Sequence, residues 1–268
     1  MPALLYGTAW KKERTTELVL QALRAGFRGI DTACQLKHYQ EKLVGDAVRQ
    51  AIEAKLITRQ DLFLQTKFTS RDGQDHRLPY DPAAPVGTQV AQSFATSQTN
   101  LQTEYVDSLV LHGPMRTFGQ TLEVWRAFET LHDSGKARQL GISNCYDVDY
   151  LVHLWTEARI KPTVVQNRFH AETNYDSDIR AFCKEREITY QSFWTLTANP
   201  DVIRSKAVKK VALRLAVTPE QAFFAFVMHL GVTPLTGTTS EAHMTQDLAV
   251  PSLALTETEV RDISALLH

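Results

Sequence analysis

Eight short apolar runs punctuate this chain, and between them lie longer segments with apolar residues at helical spacing. The runs are LLYGT, RGIDT, DLFLQTK, YVDSLVLH, ARQLGIS, PTVVQN, ITYQSFW and VTPLTG. After the first, TTELVLQALRAG sets Leu18 and Ala22 on one face and ends in Gly26, which suits a helix C-terminal cap. EKLVGDAVRQAIEAK, residues 88–101 and residues 120–133 follow in turn, the last with Val124, Trp125, Phe128 and Leu131 at helical period. DVDYLVHLWTEA, YDSDIRAFCKERE and PEQAFFAFVMHLG repeat the scheme, and a final helix is expected from Thr258 to His268. A helical crossover returns the chain to start the next strand in the same direction, so the sheet is parallel. Eight such units predict a single α/β domain over residues 1–268, a closed (β/α)8 TIM barrel, an architecture that typically takes ~250 residues. An open Rossmann sheet is the weaker reading, because no GxGxxG follows the first run.

Charge narrows the partners. The 29 basic residues nearly balance the 30 acidic ones, with no local basic cluster to attract nucleic acid or an anionic membrane. A small molecule is the expected partner, and a monomer or weak homodimer the expected state. Cys34, Cys145 and Cys183 are few and far apart, which fits free thiols in a reducing compartment and no metal site. The start has too short an apolar stretch for a signal peptide, and no run reaches the ~18 apolar residues of a membrane span, so a soluble cytoplasmic protein is expected.

In a parallel barrel, functional groups collect where strands end. Asp31, Lys67, His112, Asn144 and Gln166 stand at the ends of five successive apolar runs. Singly, Asp31 reads as a turn cap, Lys67 as a solvated cation and His112 as a core histidine; jointly they read as one site. Residues 68–88 form a connection longer than usual βα loops and are expected to shape a pocket wall with Arg71, Asp75, His76, Arg77 and Tyr80.

IDTA with a downstream Tyr39 and Glu41, then LFLQTKF, YVDSLVLHGP, GISN, VVQN and PLTGTTSEAHMTQDL together resemble the aldo-keto reductase superfamily over nearly the whole chain. The stretch RLPYDPAAP is most similar to fungal members acting on keto esters, keto amides or other small carbonyls. The resemblance implies a nicotinamide-dependent carbonyl reductase with the tetrad Asp31, Tyr39, Lys67 and His112. In the commonest family pattern the tyrosine stands five residues after the Asp, where this chain has Leu36; CQLKHYQE reads as a lengthened loop, with His38 as the competing acid.

Carbonyl reduction needs a hydride at carbon and a proton at oxygen, where negative charge develops. A tyrosine hydroxyl supplies the proton; its ordinary pKa is about 10, and an ammonium nearby is expected to lower it. Asp31 then anchors Lys67, and His112 orients the carbonyl oxygen.

For the cofactor the resemblance implies Gly7, Thr8 and Leu196 in the groove, Ser143, Asn144 and Gln166 on the carboxamide, and Phe193 stacked on the nicotinamide ring. Phe193 reads equally as a core residue. Thr236, Gly237, Thr238, Thr239 and Ser240 are similar to the loop and helix start that receive the adenosine phosphate. His243 and Asp247 keep the spacing of an Arg and an Asn or Glu at the adenosine end. That Arg is missing, so NADPH is implied by the resemblance alone, with NADH the other reading. The chain stops soon after its last helix, which predicts an open pocket, with Trp10, Trp194 and Phe118 as added aromatic surface. Two alternatives accompany carbonyl reduction: a reductase of C=N or C=C bonds, and a cofactor-binding regulatory or scaffold subunit.

Overall fold

The computed structural model describes residues 1–267, so His268, the end of the expected last helix, lies outside them. Eight parallel strands close into a barrel: β1 (Leu5–Gly7), β2 (Gly29–Asp31), β3 (Phe63–Phe68), β4 (Ser108–Leu111), β5 (Leu140–Ser143), β6 (Val164–Arg168), β7 (Thr189–Phe193) and β8 (Val232–Thr236). Strand β1 pairs with β8, Leu5 opposite Leu235, and completes the ring. The chain is a single-domain (β/α)8 barrel.

Alternation along the strands decides what faces where. Tyr6, Ile30, Leu64, Leu109, Ile142 and Val165 face outward and belong to the contiguous apolar core between sheet and helices. The opposite rows, Asp31, Gln65, Lys67, Gln166 and Gln191, are buried inside the barrel, where they bond to one another.

The helices of the reading are present at Thr15–Ala25, Glu41–Glu53, Val86–Leu101, Phe118–Asp133, Val148–Glu157, Ser177–Glu185, Pro219–His229 and Glu257–Ser264. Gly26, with φ of 121°, ends the first of them as expected. Further helices at Pro200–Arg204 and Lys206–Leu215 were not legible as separate units, whereas Glu241–Ala249 starts after Ser240, where the resemblance implied a helix start. Among the described residues no single helix is long and apolar enough to cross a membrane.

One close approach sets two of the helices against each other. A Cβ on Gly45 would stand 2.0 Å from the Asn100 carbonyl oxygen, so only glycine lets Glu41–Glu53 press against Val86–Leu101. That contact buries Glu41 between the outer face of β3 and the helices, where it accepts from Thr66 Oγ1 at 2.5 Å and Asn100 Nδ2 at 3.2 Å.

The long connection after β3 departs from the expectation. No residue of 69–88 lines the groove at the mouth. Tyr80 is buried against Phe68 and donates to the Thr69 carbonyl, while Gln74 Nε2 donates to the Cys34 carbonyl at 2.8 Å. These anchors fold the loop onto the barrel's flank, leaving Arg77 paired with Asp75 and donating to the Leu36 carbonyl.

Candidate active site

At the C-terminal ends of the strands lies a groove of about 860 Å³. Asp31, Tyr39 and His112 line it, and Lys67 lies buried beneath. Strand β2 ends in Asp31, whose neighbour Thr8 fixes it by donating from Oγ1 to the Asp31 carbonyl at 2.9 Å. Lys67 Nζ donates to both carboxylate oxygens, at 2.6 and 2.7 Å, and to the Thr32 carbonyl at 2.9 Å. Those three bonds use all the protons of the ammonium.

Asp31 Oδ1 also accepts from Gln65 Nε2 at 2.7 Å and from Gln166 Nε2 at 3.0 Å. Both amides bond Gln191 Oε1 as well, at 2.8 and 2.9 Å, so three glutamines form a polar layer under the ion pair. Burial lowers the Lys67 pKa, an effect opposed by Asp31. The polar layer answers the cost of placing this pair inside the barrel.

Tyr39 reaches the groove through the lengthened loop. Its amide and that of His38 both donate to the Gln35 carbonyl, making a single turn that swings Leu36 outward, 41 % exposed, and Tyr39 inward. The ring lies 5.4 Å from Lys67 Nζ and packs edge-on to His112 with centroids 5.9 Å apart. His38 also lines the groove, its ring tilted against Trp10 with centroids 3.9 Å apart. The electrostatics reverse one expectation: the Tyr39 pKa is raised, first by burial and then by the charge of Asp31. Lys67 gives its protons to Asp31 and Thr32, so its charge acts on the tyrosine without a direct hydrogen bond.

His112 follows β4, its Nδ1 2.7 Å from Thr69 Oγ1. Burial, then Lys67 and His38, lower its pKa to about 3. The ring is therefore a neutral imidazole near pH 7, and Thr69 occupies one of its nitrogens.

The predicted cofactor residues divide. Gly7, Ser143, Asn144, Gln166, Phe193, Leu196, Thr236, Gly237, Thr238, His243 and Asp247 line the groove; Thr8, Thr239 and Ser240 do not. Thr8 serves Asp31, and Ser240 caps Glu241–Ala249 by accepting from the His243 amide. The Thr238 and Ser240 amides point to the chain's own hydroxyls on Thr236 and Thr238, which compete with a phosphate for them. Thr236 Oγ1 donates to Asp247 Oδ2 at 2.7 Å, and burial raises the Asp247 pKa to about 6.

The groove accommodates a nicotinamide carboxamide on one clear point. Gln166 Nε2 is held by Asp31 and Gln191, so the amide presents only its Oε1, while Asn144 Oδ1 accepts from the Tyr146 hydroxyl at 3.3 Å and keeps a second lone pair. Both are acceptors for an amide NH2. Asn144 itself is fixed by donating to the His112 carbonyl at 2.7 Å from a left-handed backbone, φ 51°.

Four residues escaped the sequence reading or its roles: Lys11 and Arg168, which line the groove, and Gln65 and Gln191, buried beneath it. Lys11 donates to the Gly237 carbonyl across the groove edge. Glutamines at inward positions of apolar runs were the available signal for the last two. Trp10 and Trp194 line the groove, whereas Phe118 stacks on His153, 3.8 Å away, outside it. Among the described residues no His, Cys, Asp and Glu cluster could hold a metal, and all three cysteines are buried and free.

A (β/α)8 barrel with a buried Asp–Lys pair beneath a tyrosine and a neutral histidine defines a class of oxidoreductase architecture. The Aldo/keto reductase family profile matches residues 4–200, and this chain belongs to that family. It is 28 % identical to the uncharacterized oxidoreductase YtbE of Bacillus subtilis, over 92 % of this chain and 82 % of that one. It is 29 % identical to the D-galacturonate reductase of Fragaria ananassa, over 99 % and 86 %. Among solved structures, the aldo-keto reductase MGS-M4 from a deep-sea metagenome library superposes with a TM-score of 0.85 at 25 % identity, covering 99 % of this chain and 91 % of that chain. The aldo-keto reductase AKR2E5 complexed with NADPH shares the fold, with a TM-score of 0.83 at 20 % identity over 99 % and 84 %.

Proposed function

We propose that this protein reduces the carbonyl of a small aldehyde or ketone, with Tyr39 as proton donor. The observation that carries this reading is the convergence of Tyr39 and His112 on one groove wall above the buried Asp31–Lys67 pair. A reduced nicotinamide dinucleotide supplies the hydride when bound. Gln166 and Asn144 receive its carboxamide, Phe193 offers the ring a flat face, and Leu196, Thr236 and Thr238 border its length.

The protein's own part concerns the oxygen. His112, neutral and bonded through Nδ1 to Thr69, donates from Nε2 to the carbonyl oxygen and orients it. Tyr39, whose raised pKa keeps its proton on the phenol, gives that proton as charge grows on the same oxygen. The ammonium of Lys67, 5.4 Å from the Tyr39 ring centroid, favours the phenolate left behind. The phenolate then regains a proton from solvent through the open mouth.

NADPH is the first choice, on the precedent of the family member complexed with it. The outer groove nonetheless holds His243, Glu220 and Asp247 and, besides Lys11, no lysine or arginine at its β1–β8 end. A 2′-phosphate thus gains little there, and we expect NADPH and NADH to bind within about ten-fold of each other. Titration of tryptophan fluorescence with each nucleotide, followed by nucleotide oxidation with aldehydes, keto esters, cyclic imines and enones, tests the whole reading. Turnover of aldehydes or keto esters supports it. Turnover of imines or enones alone places the chemistry at C=N or C=C, and binding without any turnover supports a regulatory role.

A further inference from the structure

Arg168 is the one arginine lining the groove among the described residues. It is the last residue of β6, paired in register with Phe193. Strand alternation sets it on the same inward row as Gln166, two residues and about 6.6 Å nearer the mouth. Its guanidinium lies face-on to Trp194, 4.3 Å from the ring centroid. Trp194 is 49 % exposed and held in a left-handed backbone, φ 55°, a conformation bulky residues rarely keep unless their surroundings enforce it.

What Arg168 lacks is an acceptor. Eleven other arginines form ion pairs, at positions such as Arg59, Arg126 and Arg214. Arg168 has no carboxylate partner among the described residues, and its Nε is buried without any hydrogen bond. Of the groove's three acids, Asp31 holds Lys67, Asp247 accepts from Thr236 and Glu220 stands in the outer groove, and none of them pairs with Arg168. A planar fork with its face covered by an aromatic ring and its edge unfilled matches an oxyanion, and a carboxylate best of all, through two parallel N–H···O bonds.

We propose that Arg168 recognises a carboxylate on the substrate, so that the preferred substrates are carbonyl compounds carrying a carboxylate close to the reacting carbon, as in 2-keto acids. This rests on the reading of the groove as a carbonyl reductase site. The reaction keeps its balance: a hydride from the reduced nicotinamide dinucleotide reaches the carbonyl carbon, the Tyr39 proton reaches its oxygen, and the carboxylate is unchanged. The dinucleotide's diphosphate is the other oxyanion that could meet a groove arginine. Arg168 stands one pleat above Gln166, the amide assigned to the carboxamide, and so faces the reacting end. A diphosphate lies a ribose away from that ring.

The test compares phenylglyoxylate with its methyl ester in wild type, Arg168→Gln and Arg168→Lys, together with dinucleotide Kd. Wild type should prefer the acid, and the acid-to-ester ratio of kcat/KM should fall roughly 10- to 100-fold in Arg168→Gln, through KM. Arg168→Lys should fall between, since an ammonium keeps the charge and loses the fork. An unchanged ratio overturns the proposal, as does a weakened dinucleotide Kd with acid and ester affected equally, which would give the arginine to the cofactor. Should wild type reduce none of the aldehydes, keto esters or keto acids, the reductase reading fails by itself. Calorimetric titration with phenylglyoxylate then decides the arginine: binding lost in Arg168→Gln supports the carboxylate site, and equal binding in both proteins refutes it.

Discussion

His112 works through a partner that sequence order does not reveal. Thr69 lies two residues beyond Lys67 and meets Nδ1 at 2.7 Å, leaving Nε2 for the substrate. Replacing Thr69 with Val frees the neutral ring to take the other tautomer, so kcat should drop about 10-fold, ~1.4 kcal/mol, with KM little changed and Thr69→Ser close to wild type. The ring's charge state has a pH consequence. Its folded pKa, about 3, lies below the ordinary ~6.5. Between those values the unfolded chain binds the extra proton, so this residue makes stability rise with pH there and contributes no change above. Kinetically, log kcat/KM should show no imidazole limb between about pH 5 and 8; a limb near 6.5 that vanishes in Thr69→Val would contradict the account. Tyr39 shows the limit of pairwise reasoning: Lys67 alone argues for a lowered phenol pKa, yet burial and Asp31 outweigh it.

At the scale of elements, β2 and β3 carry the site because the strand period puts Asp31, Gln65 and Lys67 on one inner face. The acid and the amine were legible, each standing where an apolar run ends. The glutamine layer was less so, since one Gln in a run looks like an edge position until the ring closes and gathers Gln65, Gln166 and Gln191. Its energetics are testable. Lys67→Met strands a buried carboxylate and should cost about 3–5 kcal/mol in urea unfolding, whereas Asp31→Asn with Lys67→Met should recover most of that loss. A single variant as stable as wild type would mean that Asp31 is satisfied by its amide donors alone. The loop after β3 was misread because length suggests a pocket wall, while Tyr80 and Gln74 tie it to the flank.

For the whole molecule, the alternation of apolar runs and helical segments specified the barrel because each crossover helix permits only a parallel return. The helix at Lys206–Leu215 was obscured by lying beyond the strict strand-helix rhythm. The groove's anion chemistry was hidden for another reason: Arg168 and Lys11 gain meaning only from what surrounds them in space. The central claim is that Tyr39 donates the proton in a carbonyl reduction. Single-turnover reduction of an accepted aldehyde or keto acid by dinucleotide-loaded protein tests it most directly. Tyr39→Phe should bind the dinucleotide as wild type does and react about 10²–10⁴-fold more slowly. A phenylalanine variant reacting at the wild-type rate would contradict the account and return His38 or His112 to consideration as the acid.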